Sequence, residues 1–231
     1  MKKASPHWRF ALAIAESAGR TNQKARTQRA IVGACVELIR QRRPVTMPEV
    51  AKAAMVSEAT AYRYFPDLAS LLAKALAEDW PTPAEALAPV EASKDPIERV
   101  AFATRFLLRG VAERQVVVRS MISATMVQPE LSGRARPGIR FGLIEQALAP
   151  FLDVFQVADP QLLAQLRLDL AVVVSAEALF SLTDLCGLSV EDAIDSAEKT
   201  ARTLTAAAFQ QISSVGGASS RNSNLEAPRI E

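Results

Sequence analysis

The stretch from Thr46 to Leu72, TMPEVAKAAMVSEATAYRYFPDLASLL, constrains the fold of this chain more than any other. Thr46 is an N-cap residue, Glu49 stands three positions later where a capping box places it, and Pro48 is tolerated in a first turn. The sequence therefore predicts a helix that begins at Met47. Its apolar residues fall at helical spacing on one face: Met47, Val50 and Ala54.

A second short helix is predicted to follow Ser57, which is another N-cap residue. It lasts about two turns, because Pro66 ends it. Ala61 and Phe65 lie four residues apart and face inward, which leaves another set of side chains on the opposite face: Glu58, Ala59, Tyr62 and Arg63. Two short helices joined by a tight turn form a helix-turn-helix, whose second helix enters the major groove of DNA.

At these residues the chain resembles the tetracycline-repressor (TetR) family of bacterial transcription regulators. The run TAYRYFP at 60–66 is similar to the family's threonine, aliphatic, tyrosine, variable, aromatic, phenylalanine pattern, and the resemblance covers roughly residues 27 to 76. Three positions depart from the family's usual residues. Met55 stands where a turn glycine is usual, Glu58 where a lysine or arginine is common, and Leu68 where a phosphate-contacting lysine usually opens the next helix.

The resemblance implies an all-α fold, with an N-terminal three-helix helix-turn-helix DNA-binding domain followed by an α-helical ligand-binding and dimerisation domain. It also implies a function: a dimeric repressor that binds an inverted-repeat operator in double-stranded DNA and is released by a small molecule. Two alternatives stay open. One is a ligand-independent DNA-binding regulator or activator, and the other is an interaction module with a weakened helix-turn-helix.

The candidate DNA-contacting residues have distinct expected roles. The two-pronged guanidinium of Arg63 suits guanine, and Ala59 is small enough to touch a thymine methyl. Glu58 has two interpretations: it accepts from cytosine N4, or it only weakens nonspecific binding. Hydroxyl groups that follow the same surface suit phosphates, and arginines ahead of the first domain helix are further phosphate candidates. The full set is Thr46, Ser57, Glu58, Ala59, Thr60, Tyr62, Arg63, Tyr64, Arg26 and Arg29.

Charge is divided unevenly along the chain. Residues 1–66 hold 12 Lys and Arg against 4 Glu, a net charge of +8, whereas residues 67–231 hold 15 against 21, a net charge of −6. The overall charge of +2 conceals this division. A basic amino-terminal third suits a phosphate backbone, and an acidic body does not.

Composition favours a helical protein without an active site. Apolar residues make up 49 % of the chain, with only 9 Gly, and alternating β-branched runs bounded by turn pairs are absent. The single histidine, His7, precedes the predicted domains, so neither a histidine-paired nucleophile nor a histidine zinc site is expected. We therefore expect no enzyme activity, no cofactor and no metal.

The two cysteines and the apolar runs indicate a cytoplasmic protein. Cys35 and Cys186 lie far apart and have no Cys-x-x-Cys partner, which is typical of reduced thiols, and each is either small packing or a redox sensor. The run ALAIA near the start is short and is broken by Glu16, so a signal peptide is not expected. No stretch is expected to approach the roughly 20 apolar residues of a membrane span.

The chain divides into four predicted segments: a basic N-terminal extension at 1–25, the helix-turn-helix domain at 26–80, the helical ligand-binding and dimerisation domain at 81–212, and a disordered tail at 213–231. For the extension two interpretations stay open, a basic arm along a DNA groove or a frayed tail with a short helix near 10–18. Helices are predicted over 26–42, from 95 to about Gly110 and over 139–155, and a loop is predicted at 128–138.

Two long apolar helices are predicted near the carboxyl end, at about 160–186 and 189–211. Apolar residues surround the first of them nearly completely, so it is expected to be buried on two sides. In the resembling family these two helices pair with those of a second copy, which implies a homodimer. A small apolar or cationic ligand would bind among the helices of this domain, lined by candidate residues that plain core packing also explains: Phe102, Phe106, Met121, Phe141, Glu177 and Phe180. Glu177 either lines that pocket or pairs with a neighbouring arginine.

Overall fold

The computed structural model describes residues 7–127 and 138–222, and within them the side chains of residues 22–123, 125–126 and 138–214. This part of the chain is helical and contains no strand. It belongs to two compact units, one formed by residues 1–79 and 119–136, the other by residues 80–118 and 137–231. The all-α prediction is confirmed.

The first unit begins with four helices. They are α1 (His7–Arg40), α2 (Met47–Ala53), α3 (Glu58–Tyr64) and α4 (Leu68–Asp79). Helix α1 packs on α2 and α4, and α2 packs on α3. The core between them is aliphatic, and its members are at most 2 % exposed: Ile31, Val32, Cys35, Leu38, Val50, Ala61, Leu71, Leu72 and Leu76. Burial of these side chains stabilises the unit, at about 1.5–3 kcal/mol for a large aliphatic residue.

The second unit is built around one central helix. Its elements are α5 (Pro83–Leu87), α6 (Pro96–Glu113), the start of α7 (Gln115–Val127), α8 (Ile139–Leu148), α9 (Leu152–Ala158), α10 (Pro160–Val173), α11 (Ala176–Phe180) and α12 (Val190–Asn222). Helix α6 packs against α12 on one side and α8 on another, and α12 also packs on α10. Helix α7 passes from this unit into the first.

The predicted helix at 26–42 begins earlier than expected. Helix α1 is 34 residues long and starts at His7, so the segment predicted as an N-terminal extension is helical from that residue. Burial, however, begins only at Ile31, and Lys24 and Arg26 are exposed. The amino-terminal part of α1 therefore adds length to the helix without adding described core contacts.

Two other predicted helices are interrupted, each by a residue that alters the backbone hydrogen bonding. The helix expected over 139–155 contains a 3₁₀ turn at Ala149–Phe151, where Pro150 lacks an N–H. The helix expected over about 160–186 ends at Val173, because the Ser175 hydroxyl accepts from the Ala178 N–H at 3.0 Å and caps α11 instead. A π-helical turn, Ser181–Leu185, then follows α11.

Helix α12 is longer than predicted. It runs to Asn222, whereas the prediction ended it at 211 and began a disordered tail at 213. Residues 223–231 of that tail, and residues 128–137 of the predicted loop, lie outside the described residues. The domain boundaries themselves stay a prediction.

Gly110 lies inside α6 rather than at its end, and tertiary packing explains the glycine. A Cβ atom at this position would lie 2.8 Å from Cζ2 of the Trp80 ring and closer still to Cη2. Helix α6 continues to Glu113. The absence of a side chain at Gly110 therefore leaves room for the Trp80 ring. A glycine in a helix interior costs about 0.5–1 kcal/mol of stability relative to alanine.

The two cysteines differ in environment. Cys35 is fully buried in the first unit, and desolvation raises the pKa of its thiol to about 12. Cys186 is exposed and free. Because the thiolate is the reactive form, Cys35 is inert near neutral pH and behaves as core packing.

Residues 139–158 are long and apolar enough to cross a membrane, judged by length and composition only. From the sequence alone no such stretch is expected, and this expectation is wrong by the criteria of length and composition. In the structure the stretch is two helices separated by a 3₁₀ turn, and α8 packs on α5 and α6. Core helices of soluble proteins meet the same criteria, so the stretch is a weak indication of a span.

Arg99 is a charged side chain in the middle of the second unit and is only 2 % exposed. Its guanidinium donates to four backbone carbonyls and joins the 3₁₀ turn Ala88–Val90 to the carboxyl end of α8: Val90 at 2.6 Å, Glu91 at 2.9 Å, Gln146 at 2.9 Å and Ala147 at 2.9 Å. Carbonyls at helix ends lack helical partners and carry partial negative charge. One guanidinium therefore satisfies the ends of two elements.

We expect Arg99→Met to lower the free energy of unfolding by about 3 kcal/mol, since the aliphatic stem stays but buried carbonyls lose their donors. Urea-induced unfolding followed by circular dichroism measures this change. The control is Arg109→Met on the same helix, where an exposed side chain pairs with Glu191 at 3.2 Å and the loss should stay below about 1 kcal/mol. Equal effects in the two variants would contradict the role assigned to Arg99.

Candidate nucleic-acid interface

Side-chain caps define where α2 and α3 begin. The Thr46 hydroxyl accepts from the Glu49 N–H at 3.4 Å, and the Ser57 hydroxyl accepts from the Thr60 N–H at 3.2 Å. The hydroxyls of Ser57 and Thr60 are also 2.9 Å apart and share a hydrogen bond. Each cap satisfies a backbone N–H that has no helical partner, and such caps contribute about 0.5–2 kcal/mol.

The turn between the two helices is a Schellman motif. The Val56 N–H donates to the Ala51 carbonyl at 2.9 Å, and the Met55 N–H donates to the Lys52 carbonyl at 3.2 Å. Met55 has φ of 55°, the left-handed conformation that a glycine usually supplies at this position. Its side chain is 92 % exposed, so it gains little packing in return. In the family that the chain resembles, a glycine is usual at the position of Met55. The left-handed backbone at this position explains that preference.

Helix α3 separates an inner from an outer face, as the sequence predicts. Ala61 is fully buried and Phe65 is 5 % exposed. The predicted outer residues are all exposed: Glu58, Ala59, Tyr62 and Arg63. Thr60 and Tyr64 are half-buried, and the Arg63 guanidinium carbon lies 5.7 Å from the centre of the Tyr64 ring. Within the described chain Arg63 and Glu58 form no ion pair, so both side chains are available to a partner.

Several basic side chains of the first unit are exposed. Arg26 and Arg29 project from α1, and Arg29 is held along its own helix by a 3.4 Å hydrogen bond to the Ala25 carbonyl. Others are already paired within the unit, Arg40 with Asp79 at 2.7 Å and Arg43 with Glu49 at 3.2 Å. The pairing reduces the charge that these two arginines offer to DNA.

Some exposed cations of the first unit are not among the predicted DNA-contacting residues. Lys24, Arg42 and Lys52 are exposed and have no ion pair among the described residues. Arg42 also adopts φ of 54° in the turn that ends α1, where the Arg43 N–H donates to Leu38 and the Arg42 N–H to Ile39, each at 3.0 Å. The basic composition of residues 1–66 was the signal that could have identified them, but composition does not say which cations are already paired.

The predicted ligand-pocket residues differ in their unit and in their exposure. Met121 belongs to the first compact unit, whereas the other five belong to the second, and Phe141 is 52 % exposed. Phe102 and Phe106 of α6 and Phe180 of α11 are half-buried, and α11 contacts both α6 and α12. The pocket itself stays a prediction.

Glu177 has a partner. Arg140 Nη1 donates to its carboxylate at 3.4 Å, and the guanidinium carbon of Arg140 lies 5.0 Å from the centre of the Phe141 ring. The pairing matches the second of the two interpretations given for this carboxylate. Among the described residues no group of His, Cys, Asp or Glu side chains is arranged to hold a metal ion.

Comparison with known proteins points to one family. The model of "Bacterial regulatory proteins, tetR family" matches residues 31–75, which contain the carboxyl-terminal part of α1, the helix-turn-helix and most of α4. The crystal structure of a TetR transcriptional regulator from Rhodococcus sp. RHA1 is similar, with a TM-score of 0.48 and 19 % identity over 78 % of this chain and 96 % of that chain. A likeness at that level assigns no function. No curated protein matches the chain.

We expect Met55→Gly to raise the free energy of unfolding by about 1 kcal/mol, because glycine removes the strain of a side chain in a left-handed turn. Urea-induced unfolding followed by circular dichroism measures the change. The matched control is Ala77→Gly at an exposed position of α4, which should lower stability by about 0.5–1 kcal/mol. A loss of stability in both variants would rule out stored strain at Met55.

Proposed function

Because the chain belongs to the tetR family of bacterial regulatory proteins and is a DNA-binding transcriptional regulator, we propose that it is a dimeric repressor that binds an inverted-repeat operator and is released by a small molecule. One observation carries the proposal: α3 is capped at its start, buried along one side and presents an exposed polar face along the other. That face has the size and chemistry of a major-groove reading surface.

Base recognition is assigned to Arg63 and Ala59. The guanidinium of Arg63 donates in pairs, which suits the O6 and N7 acceptors of guanine, and the methyl side chain of Ala59 suits the thymine methyl. Glu58, exposed on the same face, accepts from cytosine N4 or lowers nonspecific affinity. The hydroxyls of Thr46, Tyr62 and Tyr64 donate to phosphates and fix the register of the protein.

Backbone affinity is assigned to exposed cations of the first unit. Leu68 and Glu58 replace two residues that are usually basic in the family, so phosphate neutralisation has to come from other side chains: Lys24, Arg26, Arg29, Arg42 and Lys52. Affinity that rests on phosphate contacts falls steeply with salt.

Dimerisation is assigned to α10 and α12. On α10 the apolar side chains Leu168 and Val172 lie four residues apart and are 63 % and 71 % exposed, and Ala164 is exposed one turn earlier. A contiguous apolar stripe on the outside of a helix is typical of an interaction surface. A second copy of the chain would cover it and place two α3 helices on the two halves of a palindrome.

The ligand site is assigned to the surroundings of Phe102, Phe106 and Phe180, which are half-buried in the second unit. A small apolar or cationic compound would bind there. It releases the operator only if it prefers the geometry that does not bind DNA. Such a regulator acts in the cytoplasm, where its operator lies.

We expect Arg63→Ala to weaken binding to the preferred operator by about 1–3 kcal/mol and to relax the preference at one base position. In vitro selection from a random duplex library with the purified protein identifies the operator, and fluorescence anisotropy measures affinity for it. The matched control is Arg109→Ala in the second unit, which should leave affinity unchanged.

Several outcomes of this assay would change the proposal. Unchanged affinity and preference in the Arg63 variant would reject the assignment of base recognition. Selection of no sequence would favour the interaction module, for which Glu58 and Leu68 are the supporting residues. If neither apolar nor cationic compounds release the operator, the ligand-independent regulator is favoured.

We expect Leu168→Glu to weaken the dimer at least about tenfold, since a carboxylate would be buried without a partner in the interface. Sedimentation velocity over a range of protein concentrations measures the change. The control is Val157→Glu, at a position of α9 that is 89 % exposed, which should leave the dimer intact. A wild-type protein that sediments as a monomer throughout would contradict the dimer.

A further inference from the structure

Arg63, the predicted base-reading cation of α3, has its guanidinium over an aromatic ring. The guanidinium carbon lies 5.7 Å from the centre of the Tyr64 ring, and both residues belong to the first compact unit. Consecutive residues of a helix project about 100° apart, so the two side chains meet because the long arginine side chain reaches toward the ring. At this distance a cation is attracted to the face of an aromatic ring.

Tyr64 is the fixed member of this pair. It is the last residue of α3 and is half-buried. Core residues lie on both sides of it in the chain: Ala61 is fully buried and Phe65 is 5 % exposed. The Phe65 N–H donates to the Ala61 carbonyl at 2.9 Å. The backbone that carries the ring is therefore held by the core, whereas the Arg63 side chain is exposed.

The Tyr64 ring holds the guanidinium without using its hydrogen-bond donors. A guanidinium has five N–H donors in its plane and stacks on aromatic rings through its face. Arg40 of the same unit is held by a carboxylate instead, that of Asp79 at 2.7 Å, which occupies donors and neutralises charge. Among the residues that the structure describes, Arg63 forms no ion pair. Its donors stay available to the edge of a base while its face rests on the ring.

A guanidinium that is ordered before DNA binds loses less conformational entropy on binding. A free arginine side chain has many rotamers, and a bidentate hydrogen bond to O6 and N7 of guanine selects few of them. When the ring already restricts the guanidinium, part of this ordering has taken place in the free protein. The gain applies only to the base pair that Arg63 reads, because a duplex that lacks this guanine forms no such bond.

We propose that Tyr64 is a positioning residue for base recognition: its ring orients the Arg63 guanidinium so that the donor edge faces guanine. The proposal rests on the proposed function and names a residue that sets base specificity through Arg63. The ring and the hydroxyl of Tyr64 then have separable effects. The ring determines discrimination at one base pair, whereas a hydroxyl that donates to a phosphate adds the same affinity for any duplex.

The test compares two duplexes, the operator selected in vitro and the same operator changed at the base pair whose preference Arg63→Ala relaxes. Fluorescence anisotropy measures the affinity of the full chain for each duplex, and the ratio of the two affinities is the discrimination at that pair. We expect Tyr64→Leu to lower this ratio about threefold, because it removes a cation–π contact at an exposed site. Tyr64→Phe keeps the ring, so it should preserve the ratio while it weakens binding to both duplexes equally.

Two controls separate positioning from packing. In the double variant of Arg63→Ala with Tyr64→Leu, loss of the ring should leave the ratio at the value of Arg63→Ala alone. At a base pair whose preference Arg63→Ala does not affect, Tyr64→Leu should leave discrimination unchanged. Circular dichroism verifies that each variant folds. Tyr64→Met covers the case in which the leucine variant does not fold, because the flexible methionine side chain fills irregular spaces.

The outcomes separate this proposal from the proposed function. An unchanged or increased ratio in Tyr64→Leu, or in Tyr64→Met where the leucine variant does not fold, would overturn the role of Tyr64 and leave that of Arg63 intact. An equal fall at the control base pair, or in Tyr64→Phe, would also overturn it, since the ring would not be the cause. If Arg63→Ala relaxes no base pair, or the wild-type chain prefers no duplex, the proposed function fails and the role of Tyr64 is rejected with it.

Discussion

The DNA-binding unit depends on one left-handed residue between two short helices. Helix α2 has 7 residues and α3 has 7, lengths at which an isolated helix is unstable in water. The Schellman hydrogen bonds around Met55 reverse the chain so that Ala61 and Phe65 of α3 reach the core on α2. The free energy gained by packing these apolar faces exceeds the strain of about 1 kcal/mol at Met55. Because one face of α3 packs in the core, the opposite face is exposed.

The second unit relies on cations that bridge helices. Arg99 joins helix ends through carbonyls inside the unit. On the surface Arg105 of α6 donates to Asp195 and Glu198 of α12, each at 2.6 Å, and these hydrogen bonds, with Asp195 the main contributor, raise the pKa of the guanidinium. These pairs join α6 to α12, which also pack against each other. The Trp80 ring packs on the same central helix, at Gly110 and Phe106.

Elements with strong local signals were predictable. The cap residues Thr46 and Ser57 and the apolar spacing of α2 and α3 give the two helices and their inner faces, since these signals act within one turn of helix. Breaks and extensions of the long helices were not. From the local sequence alone, Ser175 and Gly110 are each compatible with the inside or the end of a helix. Only the contacts around them decide which of the two is formed.

By itself the sequence determined the helical class, the helix-turn-helix and the outward face of α3, because these follow from periodicity, caps and charge within short windows. Tertiary structure alone decided which cations are paired, which carbonyls accept from Arg99 and what Gly110 accommodates. Each of these depends on residues that lie far apart in the chain, such as Arg40 and Asp79 or Trp80 and Gly110. A side chain's charge or size is written in the sequence, but its partner exists only after the helices have packed.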